Sequence, residues 1–498
     1  MAIKRYYATK DNTITNAYKA NLQTRGVSGN MGQSDILEVF SIYAQVSSSE
    51  EGYSSELSRI LIQFNTDAIN TDRTAGNIPA SGSVNFFLKM YDAEHTQTTP
   101  KDYTLIVSAI SQSWSEGLGL DMEEYSDEDA SNWLSASSDP GKQKWVDYAS
   151  VAKPGGSYIT GSDANPTEYL FTQSFDTGFE NLEIDVSHLV EDWISGDLNN
   201  YGFGVRLTGS DESATNSYYT KMFFARGSQF FHKRPVIEAR WDSSKKDNRG
   251  DFYLSSSLVP ASDNLMNLYL YNVVRGQLTN IPAVGTGDML VSIYSGSTGP
   301  TGNKLYLPVG GGVVATGDVN ITASHVETGI YSCSFAYTSS SITSIYDVWH
   351  SGGIEYHTGS AISVQTFDSK DYNFDQRYIS KVTNLRATYN RGEKVRFRLY
   401  TRQKDWSPTI YTVASNAIET SIIDNAYYRF TRVSDNLEVI PFGTGSLNHT
   451  RLSYDTSGSY FDLEMDLFDT DTVYELSFSY LINGSYVEQP ERFRFRVE

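Results

Sequence analysis

Apolar side chains recur at every second position from one end of this chain to the other. That spacing is the period of a β-strand and not of a helix. Ile60, Ile62 and Phe64 alternate in "SRILIQF", and Val395, Phe397 and Leu399 alternate with Lys394, Arg396 and Arg398 in "EKVRFRLY". Phe493, Phe495 and Val497 alternate with arginines in "ERFRFRVE". Such strands turn apolar groups inward and cations outward. Short clusters of Gly, Ser, Asn and Asp separate them, as turns require. Many short strands with turn punctuation predict an all-β chain of sandwiches or barrels. Aromatic residues make up 13%, with 35 Tyr and 24 Phe, and suit strands better than long helices.

Two stretches read as helices. In 186–194, Val186, Leu189, Val190 and Trp193 fall on one helical face, with Ser187 as N-cap and Gly196 as stop. The second, 126–134, is short and acidic, and its Ser126 and Asp129 resemble a capping box. The segment 242–251, "DSSKKDNRGD", is polar and free of aliphatics, so it reads as a linker. A second boundary falls near 368–378, giving domains 1–243, 250–370 and 376–498. The last two share Y-x-x-S-F-x-Y, in "TGIYSCSFAY" and "DTVYELSFSY". "YNVVRGQ" likewise pairs with "YNRGE", so both segments read as copies of one β-sandwich module.

The chain of 498 residues carries 60 acidic and 39 basic side chains, a net charge of −21. That balance argues against nucleic-acid binding, which needs a cationic face. One cysteine, Cys333, excludes an internal disulfide scaffold and suits a reducing compartment. The basic residues near Met1 precede no apolar run, and no stretch reaches the ~18 apolar residues of a membrane helix. The expectation is folding in a cytoplasm, with no membrane insertion.

Across 5–241 an ordered series of motifs resembles the DNRLRE domain family, also described as a carbohydrate-binding jelly roll. It runs through "DNTITNAY", "NMGQSDILEV", "LSRILIQFN", "SQSWSEG", "IDVSHLVEDWISGDLNNYGFGVRL" and "KMFFARGSQFFHKRPVIEARW". Ala225 and Gly227 depart from the Ser and Glu of the last motif. The resemblance implies an N-terminal jelly-roll β-sandwich and, beside it, possession of a carbohydrate-binding module. Farther on, "VETGIYSC" resembles the D-x-G-x-Y-x-C strand of immunoglobulin-like domains, with Glu327 for Asp. Tyr331 would form a tyrosine corner, bonding backbone through its hydroxyl, and Tyr474 holds the equivalent place. No second cysteine exists, so a disulfide-type immunoglobulin domain is excluded. The fold expected is all-β, a jelly roll followed by two Ig-like sandwiches.

No phosphate loop, G-x-S-x-G, H-E-x-x-H or C-x-x-C is present. The seven histidines, His95, His188, His232, His325 and His449 among them, are scattered. The acidic run Asp121, Glu123, Glu124, Asp127, Glu128 and Asp129 suits paired-carboxylate chemistry, a calcium ion, or an exposed patch that docks a partner. Trp114, Trp133 and Trp145 suit either a sugar-stacking platform or jelly-roll core. "RGD" at Arg249, Gly250 and Asp251 reads as a turn in the linker. The Asn-x-Ser/Thr triplets at Asn320, Asn448 and Asn483 carry meaning only with secretion. The basic stretch 386–406 is either a solvated strand face or a surface that docks on an acidic neighbour.

No catalytic, cofactor-binding or metal residue is assigned, calcium being the one ion the acidic run would suit. The whole chain resembles a virion structural protein of a tailed bacteriophage of the marine myophage kind, in the tail, baseplate, neck or a capsid-bound fibre. That implies a non-enzymatic protein, assembled in the host cytoplasm, whose partners are other virion proteins and copies of itself. Host-surface polysaccharide is a further partner in this reading. A glycan-binding surface protein using the N-terminal jelly roll is the alternative, and a polysaccharide hydrolase or lyase a third.

Overall fold

The computed structural model describes residues 2–48, 52–95, 101–126, 130–137, 143–147, 149–162, 164–305, 320–337, 341–367, 376–406, 409–411 and 420–498. Strands dominate, and the fold is all-β. The chain divides into two compact units, Ala2–Trp241 and Asp242–Glu498.

The first unit is the jelly roll. Its main strands are β1 (Ile3–Thr15), β2 (Ile36–Ser48), β3 (Gly52–Phe64), β4 (Asn85–Met90), β5 (Tyr103–Ile110), β6 (Asp121–Ser126), β7 (Phe171–Phe175), β8 (Leu182–Asp185), β9 (Phe203–Leu207), β10 (Tyr218–Phe224) and β11 (Val236–Arg240). Hydrogen-bonded neighbours run β5-β9-β3-β1-β11-β4-β8, with β7 on β5 and β2 between β3 and β10. β1 changes neighbours at a bulge between Ala8 and Lys10. Ile3–Tyr7 pairs with β11, and from Ala8 onward, across the bulge, the strand pairs with β3. A bulge bends the strand that carries it, so one ribbon serves both layers.

The alternation in "SRILIQF" does what its period requires. Ile60, Ile62 and Phe64 are fully buried and meet Phe86, Leu88, Val107, Phe203, Val205 and Ile237 in one core. Each such side chain stabilises the fold by about 1.5–3 kcal/mol relative to exposure. Leu61 points the other way, into a second core with Ile14, Ile110, Trp114, Trp133 and Trp145.

The helix expected over 186–194 is present at Ser187–Ser195, with Leu189, Val190 and Trp193 buried and Gly196 ending it at φ 86°. Ser187 is its first residue and not its cap. The Asp185 carboxylate accepts from the Ser187 amide at 2.9 Å, and Ser187 Oγ accepts from the Phe86 amide at 2.8 Å. A further helix, Thr66–Thr74, was not expected. It buries only Thr66 and Ile69, so it shows no apolar stripe. The helix expected over 126–134 is corrected: Ser126 closes strand β6 and 130–134 is irregular, while Asp127, Glu128 and Asp129 lie outside the described residues.

The second unit holds two sandwiches. In the first, Met266–Tyr271, Met289–Ser295, Asn320–Glu327, Ile330–Phe335, Ser344–Ser351 and Ile362–Gln365 enclose Leu268, Val291, Tyr331, Phe335 and Trp349. In the second, a sheet built on Lys394–Gln403 and Gly458–Glu464 accompanies one built on Thr472–Ile482, Ala426–Arg432 and Phe493–Val497. Rings fill its core, with Tyr428 stacked on Phe461 at 4.1 Å and Phe397 on Phe461 at 5.1 Å. Both expected tyrosine hydroxyls bond backbone. Tyr474 accepts from the Asp469 amide at 2.8 Å, and Tyr331 donates to the Gly285 carbonyl at 2.7 Å. Cys333 is buried and free, and burial drives its thiol pKa upward.

The expected linker 242–251 is corrected by its contacts. Lys245 donates its amide to Ser453 Oγ at 2.9 Å, and its carbonyl accepts from the Tyr454 amide at 2.9 Å. Asn248 donates to the Tyr454 hydroxyl at 3.1 Å and accepts from the Asn267 amide at 2.9 Å, so one side chain bonds both sandwiches. Arg249 grips Asp347 in two bonds of 2.6 and 2.7 Å. The segment is polar because its polar groups are used inside the unit, not because water surrounds it. The boundary read near 368–378 falls mostly outside the described residues, and the two sandwiches cluster as one unit.

Candidate functional site

The jelly-roll motifs converge on a knot of polar side chains. Glu116 takes the Arg226 guanidinium in two bonds of 2.5 and 2.6 Å and accepts from the Asp11 amide at 2.8 Å. Asn12 donates to Ser131, and Asn30 donates to the Glu116 and Ser131 carbonyls. Asn30 Oδ1 accepts from the Gly119 amide at 2.8 Å. A Cβ at Gly117 would lie 2.3 Å from Asn30 Oδ1, so the close pass needs a glycine. Asp11 is 1% exposed, and burial raises its pKa to about 7 despite the Arg226 amide and guanidinium. These bonds tie loops to the sandwich; each of these groups already has its partner.

The other sequence candidates are drawn into structure as well. Trp114, Trp133 and Trp145 are 2, 8 and 0% exposed, so the sugar-stacking reading of these three indoles is corrected. Trp114 Nε1 donates to the Tyr201 carbonyl and Trp145 Nε1 to the Asn132 carbonyl, both at 2.8 Å. In the acidic run, Asp121 accepts from the Glu123 and Glu124 amides at 2.8 Å, and Glu123 accepts from the Ala20 amide at 2.5 Å. Arg249 of "RGD" is turned onto buried Asp347. In 386–406, Arg386 pairs with Glu393, Arg396 with Asp462 at 2.7 Å, and Arg398 with Asp455 at 2.9 Å. Those guanidinium charges are matched within the chain. Asn448 and Asn483 occupy left-handed turn positions, and Asn320 Oδ1 accepts from Lys304 Nζ at 2.6 Å. Among the described residues no group of three or more His, Cys, Asp or Glu side chains gathers as a metal site would need.

Two concavities of the jelly roll offer further candidates. The first is a groove of about 520 Å³ on the outer face of β2. Along β2, Leu37 and Val39 enter the core while Glu38, Phe40 and Ile42 face outward, half-buried. Met222 of β10 and Met122 of β6 form its walls. β6 approaches because residues 26 and 29 are glycines: a Cβ at Gly29 would lie 2.8 Å from Met122 Cα. Tyr18 and Tyr43 complete the lining. A bulge follows Tyr43, with Ala44 at φ 62°, and it re-aims the strand there.

Two carboxylates belong to this groove. Glu56, fully buried, accepts from the Tyr18 amide at 2.9 Å and from Ser54 Oγ at 3.2 Å. The Gln45 amide, its nitrogen turned toward Glu56, donates at 2.9 and 3.0 Å. The Glu38 carboxylate takes no hydrogen bond or ion pair from the described residues; burial raises its pKa, opposed by the field of His95. Sequence reasoning passed over these residues. The available signal was "ILEVFSIY", a strand apolar on both faces, which one core cannot absorb.

The second concavity, about 540 Å³, adjoins the helix Thr66–Thr74. Gln63, Asn65, Asn199 and Asn200 bring amides to it, with Trp193 behind them. Asn200 already donates to the Phe64 carbonyl at 2.8 Å and Gln63 to the Asn200 carbonyl at 2.8 Å.

No protein-family model matches the chain, and no curated protein matches it. Among solved structures, a marsupial T cell receptor is 11% identical with a TM-score of 0.15, over 50% of this chain and 71% of that one. The N-terminal Ig1-2 module of the Drosophila receptor protein tyrosine phosphatase DLAR is 8% identical with a TM-score of 0.14, over 47% of this chain and 91% of that one. The titin domains z1z2, in complex with telethonin, are 11% identical with a TM-score of 0.13, over 47% of this chain and 86% of that one.

Proposed function

We propose that the chain is a non-enzymatic structural component of a virion, of the tailed-bacteriophage kind its sequence resembles, working through protein–protein contacts. The observation that carries the reading is the joint at 242–251. A solvated linker would bond neither sandwich; here one segment bonds both, Asn248 reaching Tyr454 and Asn267 and Arg249 reaching Asp347. A stiff two-sandwich strut suits a part that holds position in an assembly. The internal bonds of Asp121 and Glu123, the burial of the three indoles and the pairing of Arg386, Arg396 and Arg398 support the same reading. Particles purified from cells that make the chain are expected to hold it in a fixed copy number set by particle symmetry, counted by quantitative mass spectrometry. A chain found only as a free monomer, with no particle containing it, overturns the proposal.

Glycan binding by the jelly roll keeps one support, the amide-lined concavity beside Thr66–Thr74, because amides offer sugars both donors and acceptors. An array of bacterial surface polysaccharides probed with the full chain tests it. Silence across the array counts against it.

A further inference from the structure

We propose that the groove on the outer face of β2 receives a primary ammonium carried on an apolar stem, the chemistry of a lysine side chain offered by a partner polypeptide. The inference concerns one site and stands whether or not the chain is a virion component. It begins from charge. Among the described residues the Glu38 carboxylate takes no hydrogen bond or ion pair, His95 acting on it only through its field, and Glu56 has hydrogen bonds but no ion pair. Glu38 is only half-buried, so its carboxylate faces the open groove, and a carboxylate partly withdrawn from water without a counter-charge gains from an arriving cation. Arg25, outside the lining, lies over the Tyr18 ring at 4.4 Å. Its guanidinium is engaged with the Asn16 carbonyl at 2.8 Å and the Ser55 carbonyl at 3.3 Å, and not with either acid.

The walls select the rest of the ligand. Phe40 and Ile42 form an apolar stretch beside Glu38, and Met122 and Met222 flank it with side chains that adapt to a chain of methylenes. Tyr43 adds a ring that attracts cations, while the Tyr18 ring already carries Arg25. A lysine has that division, an apolar stem and a charged tip. A neutral sugar does not fit as well, because free donors are scarce. Ser217 Oγ already donates to the Tyr43 carbonyl at 3.4 Å, and the Gln45 amide is spent on Glu56. An anion would meet two carboxylates. The net charge of −21 favours the approach of a basic partner.

The test uses the full chain and ligand-observed saturation-transfer NMR, with affinities from titration. The probes are n-hexylammonium, n-hexanol and hexanoate, then a short lysine peptide and its ε-acetylated form. The expected order is ammonium first, at least tenfold above the alcohol, with the carboxylate last. The lysine peptide is expected to displace hexylammonium, and the acetylated peptide to fail. Glu38→Gln is expected to erase the gap between ammonium and alcohol. Glu124→Gln, at an exposed carboxylate of β6, is expected to leave it unchanged. The peptide pair needs no variant, so the proposal stays testable if Glu38→Gln folds poorly. Equal binding of hexanol and hexylammonium, or a preference that survives Glu38→Gln, overturns the site. Hexylammonium binding with exclusion of the lysine peptide overturns the polypeptide partner. Displacement of hexylammonium by a neutral methyl pyranoside overturns the cation reading in favour of sugar.

Discussion

Replacing Arg249 by Met removes the guanidinium from the joint and leaves its carboxylate behind. Asp347 is 0% exposed. Its oxygens take the two Arg249 bonds at 2.6 and 2.7 Å and one from Trp349 Nε1 at 2.6 Å. Burial pushes the Asp347 pKa up, and Arg249 pulls it below its ordinary 3.8. A carboxyl depressed in the folded state stabilises above pH 3.8, and that contribution is lost as pH falls below it through the folded-state value. In Arg249→Met burial is opposed by the Trp349 bond and a backbone bond without a counter-charge, so the sign is expected to reverse, with stability falling as pH rises through the new, elevated value. Breaking a buried pair from one side costs about 3–5 kcal/mol. For a unit of this size that lowers the midpoint by roughly 10 °C. Differential scanning calorimetry of the full chain at pH 8 and pH 5 reads both effects, with the larger loss expected at pH 8. Arg249→Met/Asp347→Leu is expected to recover most of the loss, because no unpaired charge is left. A single variant within about 1 kcal/mol of the parent at pH 8 would mean that Asp347 is solvated. The segment 242–251 would then be the tether that its composition suggests.

Asp11 gives the opposite sign. Its folded-state pKa lies at about 7 against an ordinary 3.8, so its contribution is full below pH 3.8 and is lost as pH rises through about 7. Asp11→Asn is expected to flatten the stability profile between pH 5 and 8 by up to about 3 kcal/mol in urea titrations. A variant much weaker than the parent at pH 8 would show instead that an ionised Asp11 is held by Arg226. Gly202→Ala is expected to destabilise the jelly roll by more than about 2 kcal/mol, since the residue sits at φ 91° and a Cβ would lie 2.2 Å from the Ile62 carbonyl oxygen. An unchanged denaturation midpoint would refute that close packing.

The architecture was legible where a period is visible in the residues themselves. Ile60, Ile62 and Phe64 mark a strand, and Leu189, Val190 and Trp193 mark a helix, because each period maps directly onto burial. Tyr331 and Tyr474 were legible because the strand around each repeats. The joint was not. A polar run looks alike whether water or distant protein satisfies it, and the partner of Asn248, Tyr454, lies 206 residues away. The helix Thr66–Thr74 escaped for a related reason: its capping Asn65 is visible, but one buried Ile69 makes no stripe. The groove escaped because Glu38 reads as an ordinary outward residue until β6 and residues 17–18 wall it in.

The charge pattern now separates two kinds of surface. On the last sandwich, Arg396 meets Asp462, Arg494 meets Glu475 at 2.8 Å, and Arg496 meets Asp471 at 2.6 Å. Pairs this exposed are worth about 0–1 kcal/mol each, so stability does not explain them. Their effect is to cancel charge across a broad strand face, while flanking strands such as Ser485–Glu488 stay exposed. In the β2 groove the chain does the reverse, bringing two carboxylates to one lining with no cation among the described residues in an ion pair with either. A chain that matches cations with acids so widely, and leaves these two unmatched inside a concavity, concentrates its binding energy for a cation at that place. Contact through the matched faces should therefore depend weakly on salt, and capture of a cation in the groove strongly.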